Sequence, residues 1–464
     1  MTQASRSGPR FDLSNLEMLF AGHAPRLAHM RDASSFAADL AACSFMPMEQ
    51  SELLVRSALL HDLGYAPSLR RYGFHPLDGA LFLESQDEHP WVIEGVLRHS
   101  GADRRASLLP EVAEQYAMRP VAVGAAWLVR AVTMADWRAA GIGGRVSFGQ
   151  RLRDIVDRNP DNPGKVRRAE AMVAEVRGWF LDWVKTTNRA RPLPWVFCDV
   201  DHTLICPGDP LSAGNRTSIK AYVAAGGRFS LASGKHPKSV ASLSRDLGLE
   251  SAQVAANGTC VFKGGVITVL AHLGDAAMSL VARLKALGLP VALYREQGIE
   301  ACCNWEDCLD ELFVRYGEIR AERKRGSGPV LKILCVAHSA DQELERDLRR
   351  LAVSLEVEVC RSDTRFMEFL PTAGTKGHAV RFVTQHEDWP VLHTLALGDT
   401  ENDAAMFAQC GGCAAVANAT GQALLGADWV IPECAADGVG RVLDVVRQGG
   451  GWGGLALSLQ VEGL

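Results

Sequence analysis

The hydrophobic pattern of this chain changes period once, near Thr186, and that change limits what it can fold into. Up to about Lys185, apolar residues recur at helical spacing in Pro25 to Cys43, Gln50 to Leu63, Leu77 to Gln86, Trp91 to Arg98, Val121 to Ala140 and Gly164 to Val184. Gly- and Pro-marked loops separate them, at Gly64 to Gly73 and Asn159 to Gly164. Beyond Thr186, short strand-like runs alternate with helical stretches: Trp195 to Val200, Phe229 to Ala232, Val254 to Ala256, Thr394 to Leu397 and Ala414 to Val416. That alternation implies a parallel sheet covered by helices on both faces. Between Phe262 and Arg365, strand candidates Val291 to Tyr294, Leu331 to Ala337 and Glu356 to Cys360 flank helices such as Asp341 to Leu355, which reads as an inserted α+β piece.

A chain of 464 residues also exceeds one ordinary core. The expected organisation is a helical domain over 1–188 and a polar, Pro-containing linker over 189–194. An α/β doubly wound, Rossmann-like core over 195–261 and 366–448 follows, with an α+β cap over 262–365 and a loosely held tail over 449–464.

Charge and composition exclude more than they identify. A net charge of -5 gives no general attraction to nucleic acid or membrane. The basic run Arg320 to Arg325 reads as a solvated helix end and loop. No stretch approaches the roughly 20 apolar residues that span a bilayer, and Met1 to Arg10 lacks a signal-peptide apolar segment. The twelve cysteines have no framework spacing, so reduced thiols in a cytoplasmic enzyme are expected. Cys410-Gly-Gly-Cys413 has redox or zinc spacing, but without a second pair no special role is expected of it.

Chemistry concentrates where strands end. Asp199-Val200-Asp201-His202-Thr203 follows a buried-type strand, and ligands of open α/β sheets bind beyond the carboxyl ends of strands. Two residues apart on an extended chain, Asp199 and Asp201 project to the same side, so one can attack while the other handles a proton. Ser233-Gly234 offers a hydroxyl and free amides to a phosphoryl oxygen, and Lys376 a positive charge. Gly398-Asp399-Thr400-Glu401-Asn402-Asp403 adds hard oxygen ligands suited to Mg²⁺. The set has an electrostatic reason. Two like unit charges at 4 Å repel by about 4 kcal/mol at an effective dielectric of 20, so a carboxylate meets a phosphate only with cations beside it. Thr203 and Asp403 also have plain readings, as a turn closer and a helix cap.

Residues 195 to 445 resemble the haloacid dehalogenase superfamily, specifically its Cof-like phosphatases with a large α/β cap. The resemblance implies Asp199 as the phosphorylated nucleophile and Asp201 as general acid and base. It implies Mg²⁺ held by the Asp199 carboxylate, the Asp201 carbonyl and Asp399, with Asn402 and Asp403 in support. Ser233 and Lys376 would grip the phosphoryl group, Thr203 would support the loop, and Asn257-Gly258 matches the turn before the cap. Two departures are His202 where Gly is usual and Lys235 where Arg is frequent.

The helical part carries His29, His61-Asp62, His75, His99 and Asp136 on or beside separate helices, an arrangement suited to a metal inside a bundle. Over roughly residues 15 to 185 it resembles the HD superfamily of metal-dependent phosphohydrolases. That resemblance implies His29, His61, Asp62 and Asp136 as metal ligands and His75 and His99 as the extra histidines of two-metal members, with Mn, Fe, Zn or Mg all open. His23 and His89 match nothing and read as surface residues.

Together these readings predict a cytoplasmic fusion of two phosphohydrolase modules acting on small phosphorylated metabolites or nucleotides. Two alternatives stand beside it: a non-catalytic, nucleotide-binding HD module that regulates the phosphatase, and a phosphotransferase or mutase using the same aspartyl-phosphate. A nucleic-acid end-processing role lacks charge support. The oligomeric state is left open.

Overall fold

Apolar spacing builds the first unit. After a single turn at Leu16–Leu19 (α1), the helix Ala24–Cys43 (α2) buries Leu27, Met30, Ala33, Ala37, Leu40 and Ala41 along one stripe. Met48–Leu60 (α3) starts after Pro47, and His75–Ser85 (α4) and Pro90–Arg98 (α5) both carry a proline in their first turn, where its missing N–H costs nothing. Ala102–Ala106 (α6), Pro110–Ala117 (α7), Ala126–Arg138 (α8), Phe148–Arg158 (α9) and Pro163–Thr187 (α10) complete the helices. A Ser147–Gln150 capping box starts α9, and the Asn162 side chain caps α10.

The computed structural model describes residues 11–141, 144–188, 191–303, 315–323 and 326–452, and its packing resolves two units, Met1–Arg189 and Ala190–Leu464. No helix among the described residues is long and apolar enough to cross a membrane.

In the second unit, Trp195–Cys198 (β1), Arg228–Leu231 (β2), Thr394–Gly398, Gly412–Val416 and Trp429–Ile431 form a five-stranded sheet, parallel throughout, with β1 between β2 and Thr394–Gly398. All four residues of β1 are buried, as a strand covered on both faces requires. Gln253–Ala255 (β3) begins a separate three-stranded antiparallel sheet with Cys260–Lys263 (β4) and Val266–Val269 (β5). The inserted sheet has six strands: Val291–Arg295 (β6), Gly298–Cys303 (β7), Ala321–Glu322 (β8), Val330–Val336 (β9), Val357–Arg361 (β10) and Phe366–Pro371 (β11), in the order β10-β11-β9-β6-β7-β8. Leu280, Leu284, Leu293, Ile333, Leu348 and Phe369 form its core with the helices Ala276–Ala286 and Gln342–Ser354.

Several expectations shift. A cap starting at 262 cuts through β4, whose pairing with β3 ties it to the preceding segment, and β11 belongs to the cap sheet rather than to a core resuming at 366. Helix α10 runs to Thr187 and ends just before the expected linker at 189–194. The tail is not loose where it begins, since Trp452 is buried and donates its indole N–H to His393 Nδ1 at 3.0 Å. The basic run is no helix end: Ala321 and Glu322 pair with β7, while residues 324–325 lie outside the described ones. Cysteine reduction is not universal either. Cys206 and Cys434, 228 residues apart with Cα atoms at 5.9 Å, are joined as a disulfide. They follow β1 and Trp429–Ile431, and parallel strands of one sheet release their loops from the same edge. Cys410 and Cys413 are buried and unbridged.

Candidate functional site

Strand β1 delivers Asp199 to that edge. The Asp199 amide still donates to Leu397 O at 2.8 Å, after which Leu204 and Ile205 amides fold back onto Val200 O and turn the loop. His202 sits at φ +62°, the left-handed region, which is the physical reason a glycine is at home there. Lys376, the first residue of the helix Lys376–His386, places its ammonium 2.5 Å from Asp199 Oδ1 and 2.7 Å from Asp403 Oδ1. Asp403 uses its other oxygen to accept from the amides of Asp399 (2.9 Å) and Thr400 (3.2 Å), closing a capping box with Thr400. Its side chain makes no capping bond to the helix Ala404–Gln409 that follows, against the plain reading of a helix cap. Thr203 Oγ1 donates to Asp399 Oδ1 at 3.0 Å. Asn257-Gly258 packs on the same place: a Cβ on Gly258 would lie 2.1 Å from Thr375 O, which only glycine permits.

Carboxylate oxygens of Asp199, Asp399 and Asp403 all lie within 4.8 Å of one another, and all three residues are buried. Burial, then the neighbouring Asp199 and Asp403 charges, push the Asp399 carboxyl well above its usual range. Burial likewise raises Asp403, to about 6. Burial would push the Lys376 ammonium down, but Asp199 and Asp403 together hold it above its ordinary value. One ammonium among three carboxylates leaves negative charge over, and hard oxygen donors at this spacing fit a small divalent cation such as Mg²⁺.

Ser233 is buried, and its own amide is not one of the free amides expected of Ser233-Gly234. Its N–H donates to Val254 O at 3.0 Å, and its Oγ accepts from the Lys235 amide at 3.1 Å. Lys235, set aside as a departure, is the more telling residue. Its ammonium lies 2.9 Å from Asp201 Oδ1 and also donates to Tyr316 O in the inserted segment. A cleft reaches from Asp199 and Asp201 to Lys332, Asp363 and Glu368 of the cap. Asp363 accepts from Tyr316 Oη at 2.8 Å and lies 3.2 Å from His202 Nε2. Burial opposes its charge, but those two contacts keep its carboxyl well below the usual range. Lys332 and Glu368 form a buried ion pair; Asn257 Nδ2 donates to Glu368 Oε2 at 2.7 Å, and Asn257 Oδ1 accepts from Asn402 Nδ2 at 3.3 Å. Sequence reasoning passed over this pair, although a lysine and a glutamate inside the apolar strands VLKILCV and FMEFLP were visible signals.

The first unit brings all six of its named residues into two overlapping groups. His29 Nε2 lies 3.1 Å from Asp136 Oδ1 and 3.3 Å from His61 Nε2. His75 Nε2 lies 3.2 Å from Asp62 Oδ1 and 3.4 Å from His99 Nε2. The backbone sets this up: Ala140 O, Ala58 O and Val96 O face the Nδ1 atoms of His29, His61 and His99 at 2.9, 2.7 and 2.7 Å. Each of these Nδ1 atoms thus faces a carbonyl oxygen and each Nε2 is turned inward toward the cluster, the orientation of metal-binding imidazoles. Gly64 lets the chain after Asp62 press against α4, since a Cβ there would meet His75 O at 2.0 Å. Burial and the His61 and His75 charges push His99 down to about 3, whereas the Asp62 and Asp136 carboxylates outweigh burial at His61 and raise it to about 9.

Two partners were missed. Arg26, one turn before His29 on α2, pairs with Asp62 Oδ2 at 2.5 Å, and Ser100, directly after His99, donates to Asp136. His89 is half-buried and caps α5 by accepting from the Trp91 amide at 3.1 Å, and His23 is exposed.

The haloacid dehalogenase-like hydrolase family matches residues 196–443, more than half of the 464-residue chain. An HMP-PP phosphatase of Serratia proteamaculans (strain 568) is 25% identical over 262 residues, which are 53% of this chain and 92% of that protein. Haloacid dehalogenase-like hydrolases of Bacteroides thetaiotaomicron and B. subtilis have TM-scores of 0.48 and 0.49 at 20% and 18% identity, each over 54% of this chain and 98% of the other. With the acidic site at the edge of its parallel sheet, the chain belongs to the haloacid dehalogenase-like hydrolases and is a hydrolase of phosphate esters.

Proposed function

We propose that the second unit hydrolyses the monophosphate or diphosphate ester of a small metabolite through an aspartyl-phosphate at Asp199. The observation that carries this is the Lys376 ammonium shared between Asp199 and Asp403 at 2.5 and 2.7 Å, with Asp399 close by. A carboxylate oxygen of Asp199 attacks the terminal phosphorus, and the phosphorus–oxygen bond to the leaving group breaks (the alcohol of a monophosphate, the remaining monophosphate of a diphosphate). Asp201 gives the departing oxygen its proton. Asp201 then takes a proton from water, whose oxygen attacks phosphorus and releases phosphate and the Asp199 carboxylate. Lys376 and the Ser233 hydroxyl hold phosphoryl oxygens during both displacements. Asp199, Asp399 and the Asp201 carbonyl would hold Mg²⁺, which when bound offsets the charge repulsion between nucleophile and phosphate. The HMP-PP phosphatase likeness supports a small phosphorylated substrate, with Lys332, Asp363 and Glu368 of the cap reading what the phosphate is attached to. The test is phosphate release by the full chain, with Mg²⁺, from a panel of phosphorylated metabolites. Activity on at least one is expected, and none on any would refute the reading.

For the first unit we propose an HD-type metal site of His29, His61, Asp62 and Asp136, with His75 and His99 for a second ion, serving hydrolysis of a phosphomonoester or phosphodiester. The converging Nε2 atoms favour it, because lone pairs 3.3 and 3.4 Å apart repel unless a proton or a cation lies between them. Elemental content of the full chain after supply of Mn²⁺, Fe²⁺ or Zn²⁺ tests this. A chain that retains none of them makes the histidines structural.

A further inference from the structure

His202 occupies a backbone position that suits a residue without a side chain. At its φ of +62° a Cβ is disfavoured, so a histidine ring there stands against the preference of the chain. The core holds its main chain on both sides. The His202 N–H donates to Ile205 O at 2.9 Å, and its carbonyl accepts from Asn418 Nδ2 at 2.8 Å. Asn418 is fixed in turn, its Oδ1 accepting from the Cys434 amide at 2.8 Å. Set by that backbone, the half-buried ring leaves the catalytic loop and meets the cap: Nε2 lies 3.2 Å from Oδ2 of Asp363, between β10 and β11. A carboxylate has only acceptor oxygens, so Nε2 carries the hydrogen of this bond.

Asp363 passes the contact on. Its Oδ1 accepts from the Thr364 hydroxyl and the Arg365 amide at 3.0 and 3.1 Å, which fixes the carboxylate within its own turn. Its Oδ2 also accepts from Tyr316 Oη at 2.8 Å. The Tyr316 carbonyl accepts from Lys235, whose ammonium lies 2.9 Å from Asp201 Oδ1. These contacts close a ring that begins and ends on adjacent residues of one loop, His202 and Asp201. The residues beside Tyr316 lie on the core as well. Arg315 O accepts from the Gly208 amide at 2.9 Å, and Glu318 accepts from the His236 amide at 2.9 Å, ahead of the helix Pro237–Leu247. Lysine carries a point charge on a flexible four-carbon stem, so the second contact, with Tyr316 O, selects the rotamer that reaches Asp201. We propose that His202 is a positioning residue for the phosphatase reaction: it docks the cap segment around Tyr316, and that docking, through Lys235, aims the Asp201 carboxyl at the departing oxygen. The consequence for catalysis rests on the aspartyl-phosphate reading of the same site; the docking rests on the contacts.

The experiment compares the full chain with His202→Gly and His202→Gln, with Mg²⁺, on phenyl phosphate and para-nitrophenyl phosphate. Here kcat/KM covers the steps up to the aspartyl-phosphate, and phenolate, the more basic leaving group, needs the Asp201 proton more than nitrophenolate does. His202→Gly should lower kcat/KM roughly tenfold or more on phenyl phosphate and no more than about threefold on para-nitrophenyl phosphate. His202→Gln, whose amide nitrogen can donate to Asp363 in place of Nε2, should recover most of the loss. Hydrogen exchange over residues 315–323 should be roughly threefold faster or more in His202→Gly and return to the wild-type rate in His202→Gln. Tyr316→Phe, which removes only the hydroxyl on Asp363, repeats the comparison if His202→Gly lowers the melting temperature. Equal losses on the two esters, a loss that glutamine does not reverse, or unchanged exchange over 315–323 in a folded His202→Gly overturns the proposal. Faster exchange beside a wild type that hydrolyses neither ester nor any phosphorylated metabolite supports the docking and refutes the aspartyl-phosphate reading on which its catalytic consequence rests.

Discussion

In the second unit one ammonium bonds two of three clustered buried carboxylates; in the first, two carboxylates lie among four imidazoles, with Arg26 on the outer side of Asp62. The acidic site positions its donors with other charges and amides: Lys376 holds Asp199 and Asp403, and backbone N–H groups hold Asp403. The imidazole cluster positions its donors with backbone carbonyls, which face the Nδ1 atoms of His29, His61 and His99 and turn each Nε2 inward. A site of hard oxygens with a built-in cation exchanges a hydrated ion such as Mg²⁺ readily, whereas neutral imidazoles retain a transition metal more firmly. The difference predicts two sites that fail separately.

The largest break is Asp199→Asn. Removing the nucleophile should lower phosphate release by the second unit more than a thousandfold, a barrier increase above about 4 kcal/mol, while transition-metal content stays at the wild-type level. Both are measurable on one preparation, by phosphate assay and elemental analysis. More than a few per cent of residual activity would end the aspartyl-phosphate reading.

Next comes Lys376→Met, which asks whether the ammonium organises the acidic site or merely visits it. Buried and paired twice, its loss leaves Asp199 and Asp403 facing each other without compensation, a penalty of about 3 kcal/mol or more. Urea unfolding should show a lower midpoint in the absence of Mg²⁺, with part of the loss recovered at high Mg²⁺. An unchanged midpoint would mean the carboxylates take up protons at no measurable cost.

How much of this could be read from the chain follows from how local each signal is. Asp199, Lys376 and Asp399 were legible because each sits in a short motif at a strand or helix end, and the sheet brings those ends to one edge. The partner of Lys235, the Lys332–Glu368 pair and the Cys206–Cys434 bridge were not, since each joins segments with no common spacing. Helices with a full apolar stripe, such as α2, announced themselves. Helix α9 did not, because only Phe148 and Gly149 of it are buried, and α7 buries only Val112 and Tyr116. The histidines were found by type, but Arg26 and Ser100 needed the fold, although both lie within one helical turn of a named histidine.

Asp62→Ala sharpens the comparison from the other side. Asp62 faces both histidine groups, with His61 at 3.6 Å and His75 at 3.2 Å, so its loss should weaken transition-metal retention about tenfold to a hundredfold. Competition with a chelator of known affinity measures this, and phosphate release dependent on Asp199 should not move. A matching fall in that activity would show the two sites coupled.

The smallest effect concerns His393, a buried histidine outside the metal-competent groups found among the described residues, and so a control for the four in the cluster. Its Nε2–H donates to Arg191 O at 2.7 Å, its Nδ1 accepts from Trp452 Nε1–H at 3.0 Å, and it stacks on Trp389. Both nitrogens are used in the neutral form, and a second proton on Nδ1 would point at an indole N–H. Burial accordingly pushes His393 down to about 4, against which the Arg191 carbonyl only partly works. Because the unfolded chain takes up that proton near pH 6.5, the stabilisation is whole above 6.5 and is lost as pH falls toward 4. At pH 5.5 the loss attributable to this residue is about 1.4 kcal/mol. Urea unfolding at pH 7.5 and 5.5 should therefore give a smaller difference for His393→Gln, which can still donate and accept, than for wild type. An identical pH dependence in the two proteins would mean that His393 already carries its proton when folded, and that two satisfied nitrogens do not distinguish a core histidine from a ligand.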